Sequence, residues 1–174
     1  MKKIILILLS LTTFAAAQSQ IYTGFGYGYF NTDMKNADTD TKESITANAA
    51  RFKIGYGSRE AYAVEFSLDY IDSNPKRYGF DIALIKSYDF DIYVNPFAKV
   101  GFGAGILDNR ESTAQSLRYG SFNLGGGLYV PLGEHSDIEL SYEYKNISYQ
   151  REESQNSNAT GNTNNLYIGF NIRY

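Results

Sequence analysis

Eight stretches of this chain alternate apolar and polar residues with a period of two. In residues 61–71, Tyr62, Val64, Phe66, Leu68 and Tyr70 fall on one face, and Ala63, Glu65, Ser67 and Asp69 on the other. Side chains alternate across a strand but recur every 3.6 positions around a helix, so this order selects β-structure. Residues 50–57 repeat it, with Ala50, Phe52, Ile54 and Tyr56 opposed to Arg51, Lys53 and Gly55. Residues 21–31, 77–87, 92–106, 119–130, 137–147 and 164–174 follow the same rule. The expectation is eight strands of roughly ten residues, the length a tilted strand needs to cross a bilayer.

The connections alternate as well. Residues 31–46, 72–76, 107–118 and 148–163 read as mostly long and polar, and 57–60, 88–91 and 131–136 as short. Long and short links then lie at opposite strand ends, as in an even-stranded barrel with short periplasmic turns and longer outer loops. The fold class expected is all-β: an eight-stranded antiparallel up-and-down transmembrane β-barrel.

The chain opens with the order of a secretory signal peptide. Lys2 and Lys3 precede an apolar run at 4–11, and Ala15-Ala16-Ala17 offers a cleavage site before Gln18. The run is well short of the roughly 20 residues a membrane helix needs. Residues 1–17 are therefore expected to be removed, leaving a single domain at 18–174. The leader holds two of the 16 basic residues, so 14 basic face 19 acidic residues in the remainder, a balance of −5. That is too acidic for an electrostatic nucleic-acid binder. With no cysteine and one histidine, disulfides, thiolate zinc, lipidation at cysteine and multi-histidine metal centres are excluded.

Alternation alone does not say which face meets solvent. A soluble ligand-binding barrel would turn the apolar face inward; a membrane barrel would turn it to lipid. Three features favour the second. The polar face is rich in glycine (Gly24, Gly26, Gly28, Gly55, Gly101, Gly103), which suits the cramped interior of eight strands. The apolar face carries no charge in mid-strand, where Lys or Arg would cost roughly 2–4 kcal/mol in lipid; Lys86 sits at an expected strand end, where it can snorkel. Tyrosines cluster near strand ends, Tyr56, Tyr62, Tyr88 and Tyr174 at one end and Tyr29, Tyr70, Tyr78 and Tyr144 at the other, as interfacial girdles.

The inward charges are then Arg51, Lys53, Arg77, Lys99, Lys145 and Arg173 against Glu65, Asp69, Asp81, Glu139 and Glu143. In a narrow lumen they should pair, because an unpaired buried charge is costly: Arg51 and Lys53 on the second strand with Glu65 and Asp69 on the third, and Arg173 on the eighth with Glu139 and Glu143 on the seventh. With both signs present in near balance and only eight strands, a salt-bridged plug that largely closes the lumen is expected; the alternative is a charged constriction for small ions.

Enzymatic residues are not assembled. His135 falls in a short turn, away from the expected outer end, and adjacent Ser136 and Asp137 point apart in strand or turn geometry. Gly24-Phe25-Gly26-Tyr27-Gly28 and 125–127 lack the helix and lysine of a phosphate loop. The acidic pairs Asp38/Asp40 and Glu152/Glu153 lack a calcium-loop pattern and read as solvated loop. No catalytic residue, cofactor or metal ligand is assigned.

The whole mature chain resembles the small outer-membrane β-barrel family that includes the outer membrane protein A transmembrane domain. One stretch carrying the likeness is Val94-Asn95-Pro96-Phe97-Ala98-Lys99-Val100-Gly101-Phe102-Gly103, similar to that family's fifth strand. Pro96, which cannot donate to a ladder, is expected to mark a bulge there. The other is the terminal Tyr167-Ile168-Gly169-Phe170-Asn171-Ile172-Arg173-Tyr174, which resembles the signal read by the barrel-assembly machinery. Its expected reading residues are Tyr167, Gly169, Phe170, Ile172 and Tyr174. The resemblance implies a Gram-negative outer-membrane location, contact with outer-membrane lipid and lipopolysaccharide, and passage through periplasmic chaperones. Some eight-stranded barrels of this kind resemble lipid A-modifying enzymes, but the placement of His135 leaves no such site here, so the expected role is structural or surface interaction, with a host or surface ligand at the Asn-rich outer loops. A narrow passive channel is the alternative.

Overall fold

The computed structural model describes residues 19–35, 42–108, 117–150 and 160–174. Eight strands run in chain order: β1 (Gln20–Lys35), β2 (Lys42–Gly57), β3 (Tyr62–Asp72), β4 (Lys76–Ser87), β5 (Asn95–Asp108), β6 (Leu117–Pro131), β7 (Ser136–Tyr149) and β8 (Thr160–Arg173). Each pairs antiparallel with its sequence neighbour, and β1 pairs with β8 to close the barrel. Closure leaves no strand edge to recruit another chain. The last ladder step is Tyr174 N donating to Ile21 O at 2.9 Å.

Alternation sets the faces as expected. Phe25, Tyr27, Phe52, Phe66, Leu68, Phe80, Ile82, Phe102, Leu124, Ile168 and Phe170 are exposed on the outer wall, while Arg51, Lys53, Glu65, Asp69, Asp81, Lys99, Glu139 and Glu143 are buried inside. The girdle tyrosines point outward, Tyr70 meeting Tyr78 in a tilted pair at a centroid distance of 5.5 Å. Lys86 also faces out, its Nζ 4.3 Å from the Tyr62 ring and 5.5 Å from that of Tyr88. The two tyrosines thus screen the cation at the edge of the apolar belt.

Both chain ends of the barrel and residues 58–61, 88–94 and 132–135 share one end, called here the turn end; residues 73–75 lie at the opposite, loop end. Strands reach further toward the loop end than alternation indicated. β1 continues to Lys35 and β2 begins at Lys42, where 31–46 had read as a connection. Above the apolar belt both faces turn polar, so the period-two contrast fades while backbone pairing (Asn31 with Thr46, Asp33 with Ser44) continues. The length asymmetry is correspondingly uneven. Residues 73–75 make a tight link, in which Ser73 Oγ donates to Pro75 O at 2.6 Å. Residues 88–94 make a longer one, because β5 starts at Asn95 rather than at Ile92.

Pro96 causes no bulge. It pairs with Leu128 in an unbroken β5–β6 register, and the β4 ladder reaches only to Phe97. At the second position of its strand the missing N–H removes no β4 bond, while its carbonyl accepts from Tyr88 N at 2.8 Å.

The interior is layered. At the turn end Tyr22, Ala63, Ile85, Phe97 and Tyr129 pack together. At the loop end two apolar clusters form, Phe30 with Ala47, Ala49 and Ile71, and Leu107 with Tyr119, Ile147 and Tyr149. Most of the charged residues lie between these layers, whereas Arg77 sits within the loop-end layer and Arg173 against Tyr22 and Tyr129 of the turn-end layer. Inward glycines make room for the large side chains. A Cβ on Gly26 would strike the Tyr167 phenol, and one on Gly55 the Tyr22 ring.

Candidate functional site

The central layer is a connected ionic network. Arg51 and Asp69 are register partners on β2 and β3, joined by Nε to Oδ1 at 2.6 Å and Nη2 to Oδ2 at 2.8 Å. Arg51 Nη2 also donates across the barrel to Glu143 Oε1 of β7 at 2.9 Å. Glu143 Oε2 receives Lys99 Nζ of β5 at 2.6 Å. Lys145 Nζ stands 2.9 Å from Asp69, 2.5 Å from Asp81 and 3.3 Å from Glu143. Three cations and three carboxylates from five strands thus meet in one cluster.

Asp69, Asp81 and Glu143 bring carboxylate oxygens within 4.8 Å of one another, a spacing a metal ion could use. The Lys145 ammonium stands against all three and supplies the positive charge such an ion would bring. Asn123 Nδ2 completes Asp81 with a hydrogen bond of 2.7 Å to Oδ1.

A second group lies toward the turn end. Lys53 pairs with Glu139, and its Nζ is 3.3 Å from Glu65. Glu65 receives Tyr22 Oη at 3.0 Å, and Glu139 receives Ser141 Oγ at 3.0 Å. The pairs Arg51–Asp69 and Lys53–Glu65 join the two strands on which the sequence reading placed them.

Arg173 differs from that reading. Its position opposite β7 suggested Glu139 or Glu143 as partner; Arg173 Nε instead donates to Asp137 Oδ2 at 2.7 Å. Asn171 Nδ2 donates to the other oxygen of Asp137 at 2.6 Å. Asp137 was missing from the inward set, although it shares odd-numbered parity with Glu139, Glu143 and Lys145 on β7. That parity was the signal that could have found it. Arg77 also departs from expectation: among the described residues it meets no carboxylate. Its Nη1 approaches Thr32 Oγ1 at 3.4 Å, and its guanidinium lies 5.9 Å from the Phe30 ring and 5.7 Å from that of Tyr119.

The terminal pattern divides between faces. Phe170, Ile172 and Tyr174 face outward. Tyr167 points inward and folds over Gly26 and Gly169, its ring 5.1 Å from the Arg51 guanidinium and 5.7 Å from Lys53 Nζ. A residue read as part of an assembly signal thus also covers the central cations.

His135 is exposed in the turn at 132–135, while Asp137 is buried and paired with Arg173. Their side chains do not form a catalytic pair. Asp38, Asp40, Glu152 and Glu153 lie outside the described residues.

Comparison with curated protein sequences returned no match. Among solved structures, the barrel is similar to Neisserial surface protein A, with a TM-score of 0.67 at 13% identity, covering 88% of this chain and 97% of that one. It is similar to the N-terminal β-barrel domain of Pseudomonas aeruginosa OprF, with a TM-score of 0.58 at 16% identity and coverage of 88% and 97%. Ail, the attachment invasion locus protein of Yersinia pestis, solved in complex with the heparin analogue sucrose octasulfate, gives 0.52 at 16% identity, with coverage of 90% and 99%. At these identities the likeness concerns the fold. The family model of the outer membrane protein beta-barrel domain matches residues 4–174. With an apolar outer wall, a charged interior and that match over nearly its whole length, the chain belongs to the outer membrane protein beta-barrel domain family.

Proposed function

We propose that this protein is a non-enzymatic, integral outer-membrane barrel of Gram-negative type with a structural or surface-interaction role, whose lumen is held largely closed by the Arg51–Asp69–Glu143–Lys145 network. The reading rests chiefly on that network, whose members come from β2, β3 and β7 and are all buried. Eight strands leave an interior that side chains can fill. Aromatic layers at both ends of the network add to the barrier. The loop end would face outside and the turn end the periplasm, with the leader at 1–17 directing export and being removed from 18–174. Chaperones would carry the unfolded chain, and the barrel-assembly machinery would read Phe170, Ile172 and Tyr174. Outer-membrane lipid and lipopolysaccharide would cover the apolar wall, leaving any host or surface ligand to the loop end.

Planar-bilayer recording of the folded protein tests the closed lumen. Rare or very small openings are expected. A stable, ohmic, ion-selective conductance would replace this reading with the narrow passive channel.

A further inference from the structure

Charge is not balanced evenly along the lumen. In the centre, Arg51, Lys99 and Lys145 are matched by Asp69, Asp81 and Glu143. Toward the turn end, Arg173 has Asp137, and Lys53 has both Glu65 and Glu139. The loop-end layer holds Arg77, 4% exposed, with no carboxylate partner among the described residues.

Its surroundings are apolar. The register neighbours of Arg77 are Ile71 on β3 and Leu107 on β5, which belong to the two apolar clusters of that layer. Phe30 of one cluster and Tyr119 of the other flank the guanidinium. Among the described residues the Nε–H of Arg77 has no acceptor, and buried Tyr149, of the same cluster as Tyr119, has a hydroxyl without a partner. Thr32, which Nη1 approaches, shares a 2.9 Å hydroxyl contact with buried Thr163. A buried cation without a counter-charge is costly, and aromatic faces offset only part of that cost. An orphaned donor in such a place calls for a bound water or ion.

We propose that Arg77 is the centre of an anion-binding site in the loop-end layer, and that its ligand is a small monovalent anion of the halide class. A single local positive charge calls for one negative charge. The donors at hand are the guanidinium and the Thr32 hydroxyl beside its Nη1, which suit a spherical acceptor without directional lone pairs. Aromatic and aliphatic walls favour an anion that loses its water readily, so bromide and iodide bind more tightly than fluoride. The proposal is independent of whether the barrel conducts, since it concerns one layer rather than a continuous path.

The test uses the full mature chain, folded in detergent, with sodium bromide as probe. Crystals soaked in bromide should show an anomalous peak beside the Arg77 guanidinium. In solution, bromide NMR line broadening should saturate for the wild type, weaken at least tenfold in Arg77→Met, and persist in part in Arg77→Lys. Heat-modifiable mobility on gels reports that each variant is folded. The proposal is overturned if folded wild type shows bromide only on exposed side chains, or if the folded Arg77→Met protein broadens the signal as the wild type does. Should Arg77→Met not fold, the wild-type anomalous map alone decides, by the presence or absence of the peak at Arg77.

Discussion

Arg51 and Asp69 face each other directly across the β2–β3 ladder and are joined by two parallel hydrogen bonds, of 2.6 and 2.8 Å. The fork of the guanidinium matches the two carboxylate oxygens, which makes this the most directional pair in the lumen. Both members have further partners: Arg51 reaches Glu143 and Asp69 receives Lys145. The pair therefore links the wall of the barrel to its far side.

Removing one member should be much worse than removing both. Asp69→Ala leaves Arg51 and Lys145 buried with one carboxylate fewer, at an expected cost of about 3–5 kcal/mol. The double variant Arg51→Met/Asp69→Leu should recover a large part of that loss, because apolar side chains of similar volume tolerate the same site. Urea unfolding in lipid vesicles measures both. Equal destabilisation by the single and double variants would contradict the buried-pair account.

Glu143 accepts from Arg51 and Lys99 and lies beside Lys145, so Glu143→Ala should loosen the centre of the lumen. More frequent or larger openings than in wild type are expected in planar-bilayer recording, whereas an exposed control such as Glu60→Ala should change nothing. Unaltered wild-type-like currents in Glu143→Ala would remove this cluster from the barrier.

Gly26 is expected to be needed for its lack of a side chain. An Ala at this position places a methyl group in the Tyr167 phenol and against the Ile168 carbonyl. Overpacking of this kind costs about 1–3 kcal/mol. Gly26→Ala paired with Tyr167→Leu should regain part of the stability, since the ring conflict is removed while the backbone contact stays. The comparison is read from unfolding midpoints of the two variants.

Tyr174 closes the ladder to β1 through its N–H and presents its ring to the outside. Deleting it should reduce the yield of heat-modifiable folded barrel in membranes and leave degraded or aggregated chain in the periplasm. Undiminished insertion would remove Tyr174 from the assembly signal.

Orientation can be read by proteolysis. Arg110 and Arg151 belong to the segments 109–116 and 151–159, which lie outside the described residues, and Arg118 lies on β6 opposite Ile106. Trypsin added to intact cells should cut at Arg110 or Arg151 and spare the barrel strands. Cleavage at Arg59 in the turn between β2 and β3, with Arg110 and Arg151 intact, would reverse the topology.

Strand number, up-and-down order and the side each residue faces are legible in the residue pattern. These follow from a local property: successive side chains of a strand point to opposite faces, so parity along β7 places Glu139, Glu143 and Lys145 together inside. The pattern also put Arg51 and Lys53 within reach of Glu65 and Asp69, because those residues lie on neighbouring strands; the hairpin register then pairs Arg51 with Asp69 and Lys53 with Glu65. Strand ends near Asn31 and Thr46 were obscured, because polar residues on both faces erase the alternation while the backbone ladder continues. Which charges meet across the lumen emerges only when the barrel closes. Arg51 reaches Glu143, and Lys53 reaches Glu139, over separations of 92 and 86 residues. Those distances depend on the tilt and stagger with which eight strands close, a collective quantity that no single segment contains. The same closure set Arg77 between Phe30 and Tyr119 rather than among carboxylates, and it brought Tyr167 over the glycines and the cations of the centre.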